Sequence, residues 1–287
     1  MYKESSADIP CIDTSSDESS KTIMQKVREI KRMGLAVKDA LQCQLNKSMN
    51  NIFEKIKKEL KITDRELQTY QERLKQFKMH SKLMSSSYTN IWKAGCGFED
   101  KIKSLIRECG VNPTVIAIEN SDWDTFGSAE QKLKGKMTTF GSINPHENII
   151  YLNRYNLENY FSNQETLSFI AHEIMHLTEY DCIKFKLLAH LLEDRGINWH
   201  SSVRLLGSLT SFRDYRKVSE LKADVMAACL GIGFAEGLKQ GLKTMKRIEH
   251  ELVSSFDYDF HPSDEKRIRA IDKVIAYLKA EESLKGS

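Results

Sequence analysis

Ser162-Asn163-Gln164-Glu165 followed by Leu167, Ile170, Ala171-His172-Glu173-Ile174-Met175-His176 and Leu177 is the stretch from which the rest of the chain can be read. Ser162 and Glu165 make a capping box, so a helix starts there. Leu167, Ile170, Ile174 and Leu177 recur at helical spacing and form an apolar face. At about 100° per residue, His172 and His176 fall together on the opposite side, one turn apart. A core helix with satisfied histidines does not usually segregate them in this way. Residues 172–176 spell H-E-x-x-H, the helical signature of zinc hydrolases. Both imidazoles can reach one Zn2+ ion, and the Glu173 carboxylate is left free to handle an activated water.

Such a site needs a third protein ligand. Glu220-Leu221-Lys222-Ala223-Asp224 sets two carboxylates at i and i+4, on one helix face. Val225 to Leu230 is small and apolar, which implies burial on nearly all sides. A buried carboxylate needs a cation or hydrogen-bond donors. Glu220 as a metal ligand meets that need. Asp224 then fits as acceptor for the spare ring N–H of a ligand histidine. An acidic pair that complements a helix dipole would explain Glu220, but not a carboxylate one turn further in. His190 and His200 are other possible ligands. His261 stands at the entrance of the last helix, before Pro262, and taken alone reads as a surface histidine.

The chain has 287 residues, 43 basic and 40 acidic, for a net charge of +3. That balance does not argue for nucleic acid or an anionic membrane, and neither is expected as a partner. A hydrophobic share of 40% supports a real core. No apolar run reaches the roughly 18 residues of a membrane span, and Met1 to Ser20 lacks the apolar core of a signal peptide. Cys11, Cys43, Cys96, Cys109, Cys182 and Cys229 form no C-x-x-C pair and read as reduced thiols of a cytoplasmic protein. Export into a host cell without a cleavable signal is the other localisation considered.

Residues 1–20, rich in Ser, Asp and Glu, read as a disordered tail. From Lys21, Ile30, Met33, Val37, Leu41, Leu45, Met49, Ile52, Ile56 and Leu60 draw one stripe along a long helix. Thr63 and Glu66 cap a second helix, with Leu67, Tyr70, Leu74 and Phe77 as its stripe. The pair is expected to form an antiparallel hairpin, either packed on the rest or serving as a docking arm (residues 21–84) for a partner. A further helix is expected over Phe98–Cys109. Strands are expected at Thr114–Ile118, Lys136–Phe140 and Asn148–Leu152, with a turn from Gly141 to His146. The fold class is therefore α+β, mostly helical, with a small sheet and a preceding helical hairpin. The boundaries are a tail at 1–20, a helical region at 21–112 and a metal-site domain at 113–287.

Together these motifs resemble the HtpX-like gluzincins, the family of zinc metallopeptidases that includes the CAAX prenyl proteases and Oma-type peptidases. The family order is a strand ending in N-A-F, an edge strand, H-E-x-x-H, E-x-x-x-D and H-P-x-x-x-x-R-I. Here the counterparts are Asp124-Thr125-Phe126, Asn148–Leu152, His172–His176, Glu220–Asp224 and His261–Ile268, over roughly residues 113–280. The resemblance implies a zincin-like domain and a zinc endopeptidase acting on protein or peptide substrates. It implies His172, His176 and Glu220 on zinc, Glu173 as general base and acid, and Asp224 behind a ligand. His261 would stabilise the oxyanion, with Tyr258 nearby in sequence, or close the site as a regulatory ligand. Asn148, Ile149, Ile150, Tyr151 and Leu152 would hold the substrate backbone. Two departures stand out. Many relatives carry membrane spans, and the family asparagine is Asp124 here, where it would favour an imidazolium at His261.

Overall fold

A computed structural model describes residues 19–83, 88–89, 98–111, 113–118, 141–144, 149–153, 159–251 and 262–285. The chain starts with α1 (Ser20–Arg32), capped by Ser19, whose hydroxyl accepts from the Thr22 N–H. Ile23, Val27 and Ile30 form its buried stripe. The single long helix expected from Lys21 to Leu60 is in fact two. Gly34 takes φ +73°, its N–H bonds to Lys31 O, and the Leu35 N–H bonds to Ile30 O. These are the two bonds of a Schellman stop, which needs a residue that tolerates a left-handed backbone. The stripe continues in α2 (Val37–Glu59) after the break.

Next comes α3 (Asp64–Leu83), opened by the expected box: Thr63 N–H donates to Glu66 Oε2 at 2.8 Å and Glu66 N–H to Thr63 Oγ1 at 3.3 Å. Phe53 of α2 and Tyr70 of α3 meet with ring centroids 5.5 Å apart. Beyond that joint the two helices find separate partners, so they are not a free-standing hairpin arm. The chain then runs through β1 (Tyr88–Thr89), α4 (Phe98–Cys109), β2 (Thr114–Ile118), β3 (Gly141–Asn144) and β4 (Ile149–Asn153). Six helices complete it: α5 (Asn163–Glu179), α6 (Asp181–Asp194), α7 (Trp199–Ser208), α8 (Thr210–Ala228), α9 (Ile232–Glu251) and α10 (Asp264–Ser283).

Two apolar clusters hold these elements. The larger joins α1, the first half of α2, α4, β2, β4, α5, the second half of α8, α9 and α10. The smaller joins the second half of α2 with α3, α6, α7 and the start of α8, including Phe212 and Tyr215. α2 and α8 lie side by side and run through both clusters. The boundary expected at residue 112 therefore does not separate two cores, because Ile23 to Leu45 pack in the same cluster as Leu221 to Ala228.

The expected α+β class is corrected: the fold is almost entirely helical. Ten α-helices among the described residues carry the core and the site. The strands there are short, two to five residues each, in the order β1-β2-β4-β3. A zincin-like α+β domain resting on a sheet is not what the chain forms. The β-branched runs do extend locally, but the long apolar stripes that bury most surface all have helical period. Two local expectations also shift. Gly141–Asn144 is strand rather than turn, and the strand expected at 136–140 lies outside the described residues.

The sheet places β4 differently from expectation. It pairs in parallel with β2 (Val115 opposite Ile150) and antiparallel with β3 (Ile143 opposite Ile150). Both its edges are taken, so residues 149–152 cannot receive a substrate backbone, and Ile150 and Leu152 are fully buried. Asn148 lies outside the described residues. Among the described strands, the edge strand next to α5 is β3.

Candidate metal centre

The helix that carries the histidines starts as its sequence dictates. Ser162 N–H donates to Glu165 Oε2 at 2.7 Å, and Glu165 N–H donates to Ser162 Oγ at 3.3 Å. Glu165 Oε1 also accepts from Thr244 Oγ1 of α9 at 3.0 Å, which ties the first turn of α5 to its neighbour. The helix is not two-sided as expected. From residue 165 to 177 every position is buried except Glu173. α9 closes over one side by close approach. A Cβ added at Gly237 would lie 2.9 Å from Gln164 O, and one at Gly241 would lie 2.4 Å from Phe169 Cε2. α8 closes over the histidine side.

Three ligand atoms converge between α5 and α8. His172 Nε2 and His176 Nε2 lie 3.2 Å apart. Glu220 Oε2 lies 3.4 Å from the first and 3.5 Å from the second. All three residues are buried, and this is the metal-competent cluster found among the described residues. The rings stand edge to face at 85°. Zinc bonds of about 2.0–2.1 Å in tetrahedral geometry set ligand atoms about 3.3–3.4 Å apart. The triangle of His172, His176 and Glu220 has that size, so the donor set among the described residues fits three positions of a small tetrahedral cation.

The proton inventory points the same way. Asp224, fully buried one turn beyond Glu220, places Oδ1 2.8 Å from His172 Nδ1. A carboxylate at that distance favours a ring proton on Nδ1, which leaves the lone pair of the neutral ring on Nε2, the atom nearest His176 and Glu220. Burial by itself would lower the pKa of His172; the Asp224 charge and hydrogen bonds to Asp224 and Glu220 outweigh it and raise it. The pocket thus attracts positive charge. Burial by itself would raise the Asp224 carboxyl; the Arg267 guanidinium, and then His172, hold it down at about 2. Arg216, one turn before Glu220, has its guanidinium 4.0 Å from Glu220 Oε1, the oxygen turned away from the histidines.

The structure therefore brings together His172, His176, Glu220 and Asp224 as expected, and Glu173, next to His172 in the chain, is half-buried. His190 does not join: its Nδ1 pairs with Glu193 at 2.7 Å and its ring packs on Trp199. His200 is exposed. His261, Tyr258 and Asp124 lie outside the described residues. Arg267 appeared in the sequence only as a motif letter. Its signal was a lone charge on the stripe Ala270, Ile271, Val274 and Tyr277, all buried. No helix among the described residues is long and apolar enough to cross a membrane. No protein-family model, no curated protein and no solved structure matches the chain.

Proposed function

We propose that the chain is a zinc-dependent endopeptidase. The observation that carries this is Glu173. It is the one residue that is not buried in thirteen consecutive helical positions, and it adjoins a ligand triangle of tetrahedral size. A purely structural zinc site takes four protein ligands and has no use for a half-buried carboxylate next to a ligand in the chain. His172, His176 and Glu220 would hold the ion, with Asp224 keeping the His172 lone pair on Nε2. Bound zinc supplies Lewis acidity, which activates water and polarises a peptide carbonyl.

The chain's own residues do the rest. Glu173 takes a proton from the attacking water and returns it to the leaving amine. β3, an edge strand beside α5, can accept a substrate backbone as an added strand. Arg216 adds positive charge at the rim, which favours substrates with a carboxylate near the scissile bond.

The test is Glu173→Gln in purified, zinc-loaded protein. Zinc content should stay at one per chain. Cleavage in a peptide library should fall by about 10²–10⁴-fold, the usual contribution of a general base. A loaded variant that cleaves like wild type would refute the assignment. Neo-N-termini in cells expressing wild type but not the variant would name the substrate.

A further inference from the structure

Arg267 sits on the buried stripe of α10, where packing alone would be served by an apolar residue. Among the buried residues of that helix it is the only charged one, and its side chain is 8% exposed. Its Nε donates to Asp224 Oδ2 at 2.7 Å and its NH2 to Asp224 Oδ1 at 2.8 Å. Oδ1 is the same oxygen that lies 2.8 Å from His172 Nδ1. The fork thus fixes the plane of the carboxylate, and the carboxylate lies against the Nδ1 edge of the ring. Two parallel charge-assisted bonds set an orientation that a point charge cannot. For docking α10 the pair has no special merit, since well-packed apolar residues in place of a buried ion pair are often as stable or more so. What apolar residues could not supply is a rigid acceptor behind a ligand histidine.

We propose that Arg267 is a positioning residue of the metal centre. Acting through Asp224, it holds the His172 ring so that Nε2 meets His176 and Glu220. The C-terminal helix α10 is thereby part of the site, although it contributes no atom to the ligand triangle. The inference rests on His172, His176 and Glu220 binding zinc, and not on peptidase activity.

The experiment measures zinc affinity by competition with a chromogenic chelator, together with the visible spectrum of the cobalt(II)-loaded protein. Arg267→Met should weaken zinc binding by about 10–100-fold, as loss of an outer hydrogen-bond partner of a ligand does. It should also change the cobalt bands. Arg267→Lys, which keeps the charge but not the fork, should recover part of both. The double variant Asp224→Asn/Arg267→Met guards against simple misfolding, because it removes both partners. It should bind zinc about as weakly as Asp224→Asn alone. The proposal is overturned if folded Arg267→Met keeps wild-type affinity and spectrum. It is equally overturned if Arg267→Met costs the same with Asn at position 224, for then the residue acts by another route. Wild type that binds no zinc would instead sink the site itself, and wild type that binds zinc as described but cleaves nothing would sink only the proposed activity.

Discussion

Gly237→Ala is a substitution whose sign is set by the distance between two helices. Gly237 lies inside α9, where alanine is favoured over glycine by about 0.8–1 kcal/mol. The same Cβ would lie 2.3 Å from Ser168 Oγ and 2.9 Å from the backbone oxygen of Gln164. Ser168 Oγ can rotate, but only by giving up its 2.9 Å bond to Gln164 O, worth about 0.5–1.5 kcal/mol. The Gln164 oxygen can retreat only if α5 moves. Overpacking of this kind costs about 1–3 kcal/mol. Adding the terms, the variant should be less stable by about 0.5–3.5 kcal/mol, or roughly 1–6 °C in Tm for a chain of this size. Gly233→Ala is the control. Its Cβ meets only Gln164 Nε2, at an ordinary 3.7 Å, so stability should be unchanged or slightly higher. Denaturant and thermal unfolding of the three proteins decide the matter. A Gly237→Ala protein as stable as wild type would mean that α5 and α9 are not in close contact.

Two further outcomes follow from the titrating groups. Hydrogen bonds from Arg195, then one from the Thr63 backbone, hold Glu66 at about 2 against an ordinary 4.5. A depressed carboxyl contributes stability above its unfolded pKa and loses it as pH falls through the folded one. The advantage of wild type over Glu66→Gln should thus be flat above about pH 5 and vanish towards pH 2. The pair is part-exposed, so it should not exceed about 1 kcal/mol. A pH-independent difference in urea midpoints would show that the Glu66 charge is not what matters. Burial pushes the Cys109 thiol up to about 11 and Cys229 up to about 12, whereas Cys43 is exposed. Iodoacetamide at pH 8 should therefore label Cys43 before Cys109 and Cys229 in folded protein, as read by peptide mass spectrometry. Early labelling of Cys229 would contradict its half-buried place at the end of α8.

The parts of the site that could be read from the sequence are those whose geometry is local. Ser162 with Glu165, His172 with His176, and Glu220 with Asp224 are pairs three or four apart, and helical period alone puts each pair on one face. Strand neighbours have no such rule. Residues 149–153 look the same in sequence whether β4 is central or at an edge, and only pairing with both β2 and β3 decides it. The fold class failed for a related reason. Short β-branched runs announced a sheet, but they did not say how little of the chain it would hold. Gly34 was readable as a stop, yet the unbroken apolar stripe on both sides of it concealed the break in register between α1 and α2.

Arg267 and the glycines of α9 share a different kind of illegibility: each makes sense only against a residue far away in the chain. Gly237 matters because Gln164 and Ser168 are there, and Arg267 because Asp224 is. Both act on the same quantity, the position of α5 and its histidines relative to α8. Ser168 is one turn before His172, and the ligand atoms are spaced at 3.2, 3.4 and 3.5 Å. Tetrahedral coordination tolerates only a few tenths of an ångström in those spacings. A Cβ at Gly237 would need a shift of that order from Gln164 O. Gly237→Ala should therefore weaken zinc binding in protein that remains folded, whereas Gly233→Ala should not. Equal zinc affinity in the two variants would mean that the helix contact supports the fold without setting the site.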